Sequence, residues 1–221
     1  MTRNIDAIIF DLDGTLVDSE VPGMDVLFEE AIKLGVAFTR EEAHAIFRGR
    51  RMAECITWIA ERVTRPSPEF EGDFAGRFTP HIRRVMAGRF REGLDAMPGA
   101  LALVTRLDRP FCIATNGPRE KAELTLGLTG LLPHFENRLF CAYEVGHFKP
   151  APGLFLHAAQ ALGVAPARCA VVEDSLPGIE AGLAAGMQVF SLCHPGAVPA
   201  DMARRIRPIQ SLAELDLALH G

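Results

Sequence analysis

The 221-residue sequence predicts an α/β fold, in which a helical domain interrupts a doubly wound parallel sheet after its first strand. Beyond residue 97, short apolar runs typical of strands alternate with helix-like patterns. This alternation indicates parallel strands joined by right-handed crossovers. Between residues 20 and 92, apolar residues recur at helical spacing and no strand-like run occurs. A separate apolar run near the N-terminus supplies the first strand.

That first strand is predicted over residues 5–10, where the apolar run precedes a polar loop over 11–19. In the inserted region, apolar spacing predicts a helix that ends at Gly35. Thr39 and Glu42 then match a capping box that begins a second helix. The other predicted helices lie at about 52–63, from Ser67-Pro68-Glu69 onward, and at about 99–107, 118–128, 152–162, 176–186 and 211–219. The other predicted strands lie at about 110–115, 138–142, 169–174 and 188–193.

These elements predict two domains. Residues 1–16 and 95–221 form the core with the sheet, and residues 17–94 form a helical cap inserted after the first strand. Within the core, Gly178, Gly182 and Gly186 fall on one stripe of a helix. This stripe predicts close packing of that helix on the sheet.

The composition argues against several classes of protein. The net charge of -5 argues against a dedicated nucleic-acid binder, for which a basic domain is expected. Five cysteines without a C-x-x-C pair indicate reduced thiols in a cytosolic compartment. Neither a signal peptide nor a membrane-spanning apolar run is found. We therefore expect a soluble, cytoplasmic protein that engages neither nucleic acid nor membrane.

Asp11 and Asp13 follow the first strand two residues apart, so in an extended chain both carboxylates face the same way. Neighbouring carboxylates separate their pKa values, which suits distinct roles. Asp11 is the candidate nucleophile toward phosphorus, and Asp13 the candidate acid that protonates the leaving alcohol and later activates water. Gly14 allows the loop to turn sharply. The alternative is an ordinary polar loop.

Glu173 and Asp174 close another buried strand and precede a helix start. Mg²⁺ prefers carboxylate oxygens. Asp174 and Asp11, with a loop carbonyl at Asp13, are therefore the predicted metal ligands. Glu173 is predicted to bind the metal directly or through water. The alternative is that both acids cap the following helix.

Lys149 stands out because the chain has only three lysines. It lies between Phe148 and Pro150, away from a helix surface, where a point positive charge could offset the carboxylates and hold a phosphate oxygen. Lys149 is therefore predicted to be both catalytic and substrate-binding. The alternative is an exposed loop charge.

Thr115 and Asn116 join a strand to a helix. The Thr115 hydroxyl and the backbone N–H groups of this helix start would form an anion site, so both residues are predicted to bind substrate. The alternative is an ordinary strand-to-helix turn.

Taken together, the sequence resembles the haloacid dehalogenase superfamily over nearly its whole length. The resemblance rests on Asp11-Leu12-Asp13-Gly14-Thr15, Thr115-Asn116, Phe148-Lys149-Pro150 and Glu173-Asp174-Ser175, in that order. It implies a Rossmann-like core, a C1-type helical cap, Mg²⁺ and an aspartyl-phosphate intermediate. Asp13 resembles the phosphatase and phosphomutase branches. The motif stretches look most like bacterial 6-phosphogluconate phosphatases and also resemble β-phosphoglucomutases.

Substrate choice in this family lies largely with the cap, which here carries an arginine-rich loop between two predicted helices. Arg48 and Arg51 in this loop are predicted to recognise a carboxylate or second phosphate. The alternative is a solvated loop. Met52 and Gly23 stand where the mutases carry an arginine and a histidine, and both differences count against a mutase.

We therefore expect a Mg²⁺-dependent phosphatase acting on a small phosphorylated metabolite, a sugar or sugar-acid phosphate similar to 6-phosphogluconate. The alternative is a β-phosphoglucomutase-like enzyme, which would return the phosphoryl group to the sugar. A receiver-type regulatory module is disfavoured, because such modules are smaller and lack the helical insertion. A monomer or small homo-oligomer is expected.

Overall fold

The computed structural model describes residues 5–194 and 196–220, with side chains as far as residue 217. Residues 1–4, 195 and 221 of the predicted core domain lie outside this description. Packing of the Cα atoms divides the chain into two compact units. One unit joins Met1–Asp18 to Asp95–Gly221, and the other is Ser19–Leu94.

The first unit contains a six-stranded parallel sheet. Its strands are β1 (Ala7–Phe10), β2 (Phe111–Thr115), β3 (Leu139–Cys141), β4 (Cys169–Glu173), β5 (Gln188–Ser191) and β6 (Arg207–Pro208). Their spatial order is β3-β2-β1-β4-β5-β6, and every neighbouring pair is parallel. The helical insertion falls between β1 and β2. This arrangement confirms the predicted fold class.

Every regular secondary-structure element described in the second unit is a helix. Its helices are α1 (Glu20–Lys33), α2 (Arg40–Phe47), α3 (Met52–Ala60) and α4 (Phe74–Glu92). The predicted capping box of α2 is confirmed, because Thr39 Oγ1 accepts from Glu42 N (3.2 Å) and Glu42 Oε2 accepts from Thr39 N (2.7 Å). An aromatic cluster fills the interior, with Trp58 lying 5.5 Å from Phe47 between ring centroids.

The helix start predicted at Ser67 makes only a single 3-10 turn, Pro68–Phe70. Gly72 follows with a positive φ of 82°, a conformation that breaks a helix and that glycine adopts without strain. The long helix α4 then begins at Phe74, where Asp73 Oδ1 accepts from Gly76 N (2.9 Å). Ser67 therefore caps only the 3-10 turn, and Asp73, six residues later, caps the long helix.

Among its described residues, the sheet-containing unit has seven α-helices. They are α5 (Ala100–Arg106), α6 (Arg119–Leu128), α7 (Ala142–Val145), α8 (Gly153–Ala161), α9 (Leu176–Ala184), α10 (Ala200–Ala203) and α11 (Leu212–His220). Leu154 and Phe155 of α8 and Ile179 of α9 belong to one buried cluster that includes Ala7 and Ile9, alternate residues of β1. All four residues of β1 are buried, so both faces of the sheet are covered at its centre.

No helix in the described part of the chain is long and apolar enough to cross a membrane.

Candidate active site

The polar side chains singled out in the sequence meet at the carboxyl ends of the three central strands. Asp11 follows β1, Thr115 ends β2 and Glu173 ends β4. Because β1 lies between β2 and β4, these positions are neighbours. The backbone N–H of Asp11 donates to the Val172 carbonyl of β4 (2.9 Å), which continues the pairing into the site. In open parallel sheets, ligands bind at this edge.

Lys149 joins two of these acids. Its Nζ lies 2.5 Å from Asp11 Oδ1 and 2.6 Å from Glu173 Oε1. The Lys149 side chain is 2% exposed and that of Glu173 is 0% exposed. Its ammonium also lies 4.8 Å from the centroid of the Phe155 ring, which gives a cation–π contact. Lys149 is therefore not an exposed loop charge.

The contacts among Asp11, Lys149 and Glu173 shift the pKa values of Asp11 and Lys149. Burial raises the pKa of Asp11 to about 8; the Lys149 ammonium opposes that rise and Glu173 reinforces it. Burial also disfavours the Lys149 ammonium, but Asp11 and Glu173 outweigh it and raise the pKa of Lys149. The lysine is therefore charged at neutral pH. A further cation beside Asp11 would favour the ionised carboxylate, which is the form that a nucleophile requires.

Asn116 fixes the backbone of Lys149 from both sides. Its Oδ1 accepts from Lys149 N (2.9 Å), and its Nδ2 donates to Lys149 O (3.3 Å). The side-chain amide thus holds the residue that carries the central ammonium. Sequence reasoning proposed Asn116 as a substrate ligand and missed this contact, for which the sequence offers no local signal.

Glu173 is anchored by the start of α9. Its Oε2 accepts from Asp174 N (3.1 Å), Ser175 N (3.1 Å) and Ser175 Oγ (2.8 Å). Ser175 also caps α9 by accepting from Gly178 N (3.3 Å). The capping alternative for this segment is therefore partly true. Glu173 bonds the helix start with one oxygen and Lys149 with the other.

Gly178 leaves room for the Glu173 carboxylate. A Cβ atom at Gly178 would overlap Glu173 Oε1, Cδ and Oε2. Gly182 on the same stripe packs on the sheet as predicted, since its Cβ would lie 2.8 Å from a methyl group of Val189. The glycine at 178 therefore belongs to the site rather than to the helix–sheet contact.

Gly178→Ala is expected to lower kcat at least tenfold, because the new methyl group displaces Glu173 and with it Lys149. The measurement is steady-state hydrolysis of p-nitrophenyl phosphate with circular dichroism to confirm folding. The matched control is Gly88→Ala in α4, where a Cβ meets nothing within 4 Å. That variant should keep full activity and gain up to about 1 kcal/mol from helix propensity. Full activity in Gly178→Ala would contradict the role given to Glu173.

Three carboxylates could hold a metal ion. Asp11, Glu173 and Asp174 each offer an oxygen, and these atoms lie within 4.8 Å of one another. Thr15 Oγ1 orients Asp174 by donating to its Oδ1 (3.3 Å). The donor set is purely oxygen, as Mg²⁺ prefers, and Lys149 pairs with two of the three carboxylates, those of Asp11 and Glu173. The residues present therefore fit a divalent cation.

Asp13 has a separate partner. Its Oδ2 lies 2.7 Å from Lys121 Nζ, on the first turn of α6. Its side chain is not among the three clustered carboxylates, so the predicted metal ligand at this residue remains the backbone carbonyl. Thr115 lies nearby and accepts from Gly117 N (3.0 Å). Sequence reasoning missed Lys121, although the scarcity of lysines that pointed to Lys149 applied to it equally.

The two predicted cap arginines both have carboxylate partners within the helical unit. Arg48 Nη1 lies 3.4 Å from Glu20 Oε2, and Arg51 Nε donates to Glu54 Oε1 (2.7 Å). Both side chains remain more than half exposed. Such exposed pairs are weak and exchange readily. The guanidinium groups can therefore release their partners for a stronger anion.

Four of the five cysteines are poor candidates for a competing nucleophile. None of the five forms a disulfide. Burial raises the pKa of Cys55 to about 12 and those of Cys141 and Cys169 to about 11, and burial raises that of Cys112 as well. Thiols that keep their proton at neutral pH are poor nucleophiles.

Comparison with known proteins gives one consistent result. A family model described as haloacid dehalogenase-like hydrolase matches residues 5–186. The chain is 35% identical over 192 residues to 6-phosphogluconate phosphatase of Escherichia coli (strain K12), covering 86% of this chain and 83% of that protein. It is 38% identical over 221 residues to hexitol phosphatase A of the same organism, covering 96% and 89%. A solved HAD family hydrolase from Deinococcus radiodurans R1, with bound phosphate and sodium, matches with a TM-score of 0.77, 33% identity and coverage of 99% and 96%.

Proposed function

This chain belongs to the haloacid dehalogenase-like hydrolase family and is a phosphoric monoester hydrolase, and we propose that it releases phosphate from a small phosphorylated sugar or sugar acid. The proposal includes Mg²⁺ and an aspartyl-phosphate formed on Asp11. The observation that carries it is the contact of Asp11 with buried Lys149, beside the carboxylates of Glu173 and Asp174.

In this proposal, Asp11 and Asp174 would hold the metal through their carboxylates and Asp13 through its backbone carbonyl. Glu173 is part of the same cluster and would bind the metal directly or through water. When bound, Mg²⁺ would supply positive charge that shields the attacking carboxylate from the phosphate and stabilises charge in the transition state.

The chemistry follows from the groups around Asp11. A carboxylate oxygen of Asp11 forms a bond to phosphorus while the bond to the leaving oxygen breaks. Asp13 donates a proton to that oxygen. Lys149 and the Thr115 hydroxyl offset the charge on the phosphoryl oxygens. Asp13 then takes a proton from water as the water attacks phosphorus, and this step restores Asp11 and releases phosphate.

The substrate class rests on the relatives. Two proteins that are 35% and 38% identical to this chain are phosphatases of 6-phosphogluconate and of hexitol phosphates. Both substrates carry a phosphate on a short polyhydroxylated chain. The mutase alternative lacks comparable support, and Met52 and Gly23 count against it.

A panel of phosphorylated metabolites tests this function. With Mg²⁺ present, we expect inorganic phosphate release from 6-phosphogluconate, hexitol phosphates or hexose phosphates to exceed that from nucleotides by at least about tenfold in kcat/KM. EDTA should abolish the release and added Mg²⁺ should restore it. Sugar isomerisation without phosphate release would instead establish the mutase alternative.

Arg48→Ala and Arg51→Ala test the cap arginines on the same panel. Each variant is expected to change the ratio of kcat/KM between an acidic substrate such as 6-phosphogluconate and a neutral hexose phosphate by about tenfold. The matched control is Arg62→Ala, which removes a guanidinium that stacks on Trp58 in the same unit. Equal losses on every substrate would show that the arginines at 48 and 51 do not select.

A further inference from the structure

The contact between Asp13 and Lys121 has no part in the chemistry described so far. Asp13 lies two residues after Asp11, and Lys121 is the third residue of α6. The distance between Lys121 Nζ and Asp13 Oδ2 is 2.7 Å. The chain has three lysines, and the two in the sheet-containing unit each bind one acid of the Asp11–Asp13 pair.

Stability does not explain this pair. The side chains of Lys121 and Asp13 are 29% and 24% exposed. Ion pairs that reach solvent typically contribute no more than about 1 kcal/mol to folding, because water screens them and ordering a lysine costs entropy. The effect of such a pair is to fix where the carboxyl group lies and which oxygen it turns toward the ammonium.

Gly117 lies close to both members of the pair. A Cβ at Gly117 would lie 3.3 Å from Thr115 Oγ1, 3.7 Å from Asp13 Oδ2 and 4.0 Å from Lys121 Cδ. Gly117 therefore lies where the threonine, the aspartate and the lysine converge. A larger side chain there would crowd the Thr115 hydroxyl and reach the Asp13 carboxyl group.

We propose that Lys121 is a positioning residue that holds the Asp13 carboxyl group for proton transfer to and from the reacting oxygens. This inference rests on the proposed phosphatase function. In the first step, the proton passes from Asp13 to the leaving oxygen as the phosphorus–oxygen bond breaks and the bond to Asp11 forms. In the second step, Asp13 recovers a proton from the attacking water. In both steps, the contact of Lys121 Nζ with Asp13 Oδ2 holds the carboxyl group in place.

A pair of aryl phosphates of similar shape separates this role from a structural one. Phenyl phosphate has a poor leaving group that needs a proton, whereas p-nitrophenyl phosphate leaves without one. We expect Lys121→Met to lower kcat/KM for phenyl phosphate about tenfold and that for p-nitrophenyl phosphate less than about twofold. Lys121→Arg should restore part of the loss, because it returns the charge with a different shape.

The matched control is Lys33→Met, which also removes a lysine paired with a carboxylate, here Glu30 in the helical unit. It should leave the ratio of the two kcat/KM values unchanged. Equal losses on both substrates in Lys121→Met, no loss, or a gain would each overturn the positioning role.

A double-mutant cycle tests whether Lys121 acts through Asp13. In an Asp13→Asn background, Lys121→Met should have no further effect on the ratio of the two substrates. A persistent effect would mean that Lys121 contacts the substrate itself, and the proposal would be wrong. If the wild-type enzyme hydrolyses both substrates and Lys121→Met leaves the ratio of the two kcat/KM values unchanged, this inference alone is overturned. A wild-type enzyme that hydrolyses neither overturns the phosphatase function with it.

Discussion

Asp11→Asn is expected to lower kcat roughly 10⁴-fold or more, because the amide cannot attack phosphorus and no other group in the site replaces it. Asparagine has nearly the same size and shape as aspartate. An amide oxygen at the same place can still accept from Lys149, whose Nζ lies 2.5 Å from Asp11 Oδ1. The measurement is phosphate release from p-nitrophenyl phosphate with saturating Mg²⁺.

The fold of Asp11→Asn should remain intact. Burial raises the pKa of Asp11 to about 8, so a neutral side chain suits this position. We expect Tm to change by less than about 4 °C.

Asp108→Asn is the matched control for Asp11→Asn, since it makes the same chemical change at an exposed residue before β2. Its activity should match the wild type. Substantial activity in Asp11→Asn, above that of a mock purification, would refute the nucleophile assignment.

The sheet and the meeting of its strand ends could be predicted because both follow from local patterns. Short apolar runs between helices specify parallel strands, and parallel strands bring their carboxyl ends to one edge. Asp11, Thr115 and Glu173 each stand at such an end, so the topology alone makes them neighbours. The capping box at Thr39 was predictable for a similar reason, since both partners lie within four residues.

Elements without such patterns were missed. The strand β6 has two residues, one of them proline, and pairs only at the edge of the sheet. Two residues give no periodicity, and proline argues against a strand except at an edge. The helices α7 and α10 have four residues each, too few for a helical repeat.

The contacts of Lys121 and Gly178 in the site could not be predicted for a different reason. Lys121 reaches Asp13 across more than a hundred residues, and the direction in which α6 leaves β2 decides that contact. Gly178 shares a stripe with Gly182, yet one faces the Glu173 carboxylate and the other faces Val189. Identical residues at helical spacing thus serve different purposes. Only the packing around each glycine in the folded chain distinguishes the role of Gly178 from that of Gly182.

Lys149→Met is expected to lower the free energy of unfolding by about 3–5 kcal/mol and to reduce kcat by at least about 10³-fold. The lysine is 2% exposed and bonds Asp11 and Glu173 at once. Removing the ammonium leaves two carboxyl groups facing each other in a buried site, without the cation that holds them. Urea unfolding monitored by circular dichroism measures the stability.

Lys33→Met is the comparison for stability. Lys33 also bonds a carboxylate, that of Glu30, but its side chain is 68% exposed, and Glu30 keeps a second partner in His81. We expect that variant to lose less than about 1 kcal/mol. A loss in Lys149→Met no greater than in Lys33→Met would mean that the buried network does not depend on its ammonium.

The pH dependence of Lys149→Met identifies the source of its instability. Burial already raises the pKa of Asp11, and the Lys149 ammonium opposes that rise. Without the ammonium, the folded-state pKa of Asp11 moves further above its unfolded value, so the folded state binds more protons than the unfolded state. Stability then falls as pH rises through the interval between these values. Wild-type Asp11 itself titrates near 8, so in EDTA the loss relative to wild type should stay nearly constant below about pH 7 and grow as the pH rises above about 8. A loss that does not change with pH even above about 8 would assign the instability to the lost cation–π contact with Phe155 instead of to the unpaired carboxyl groups.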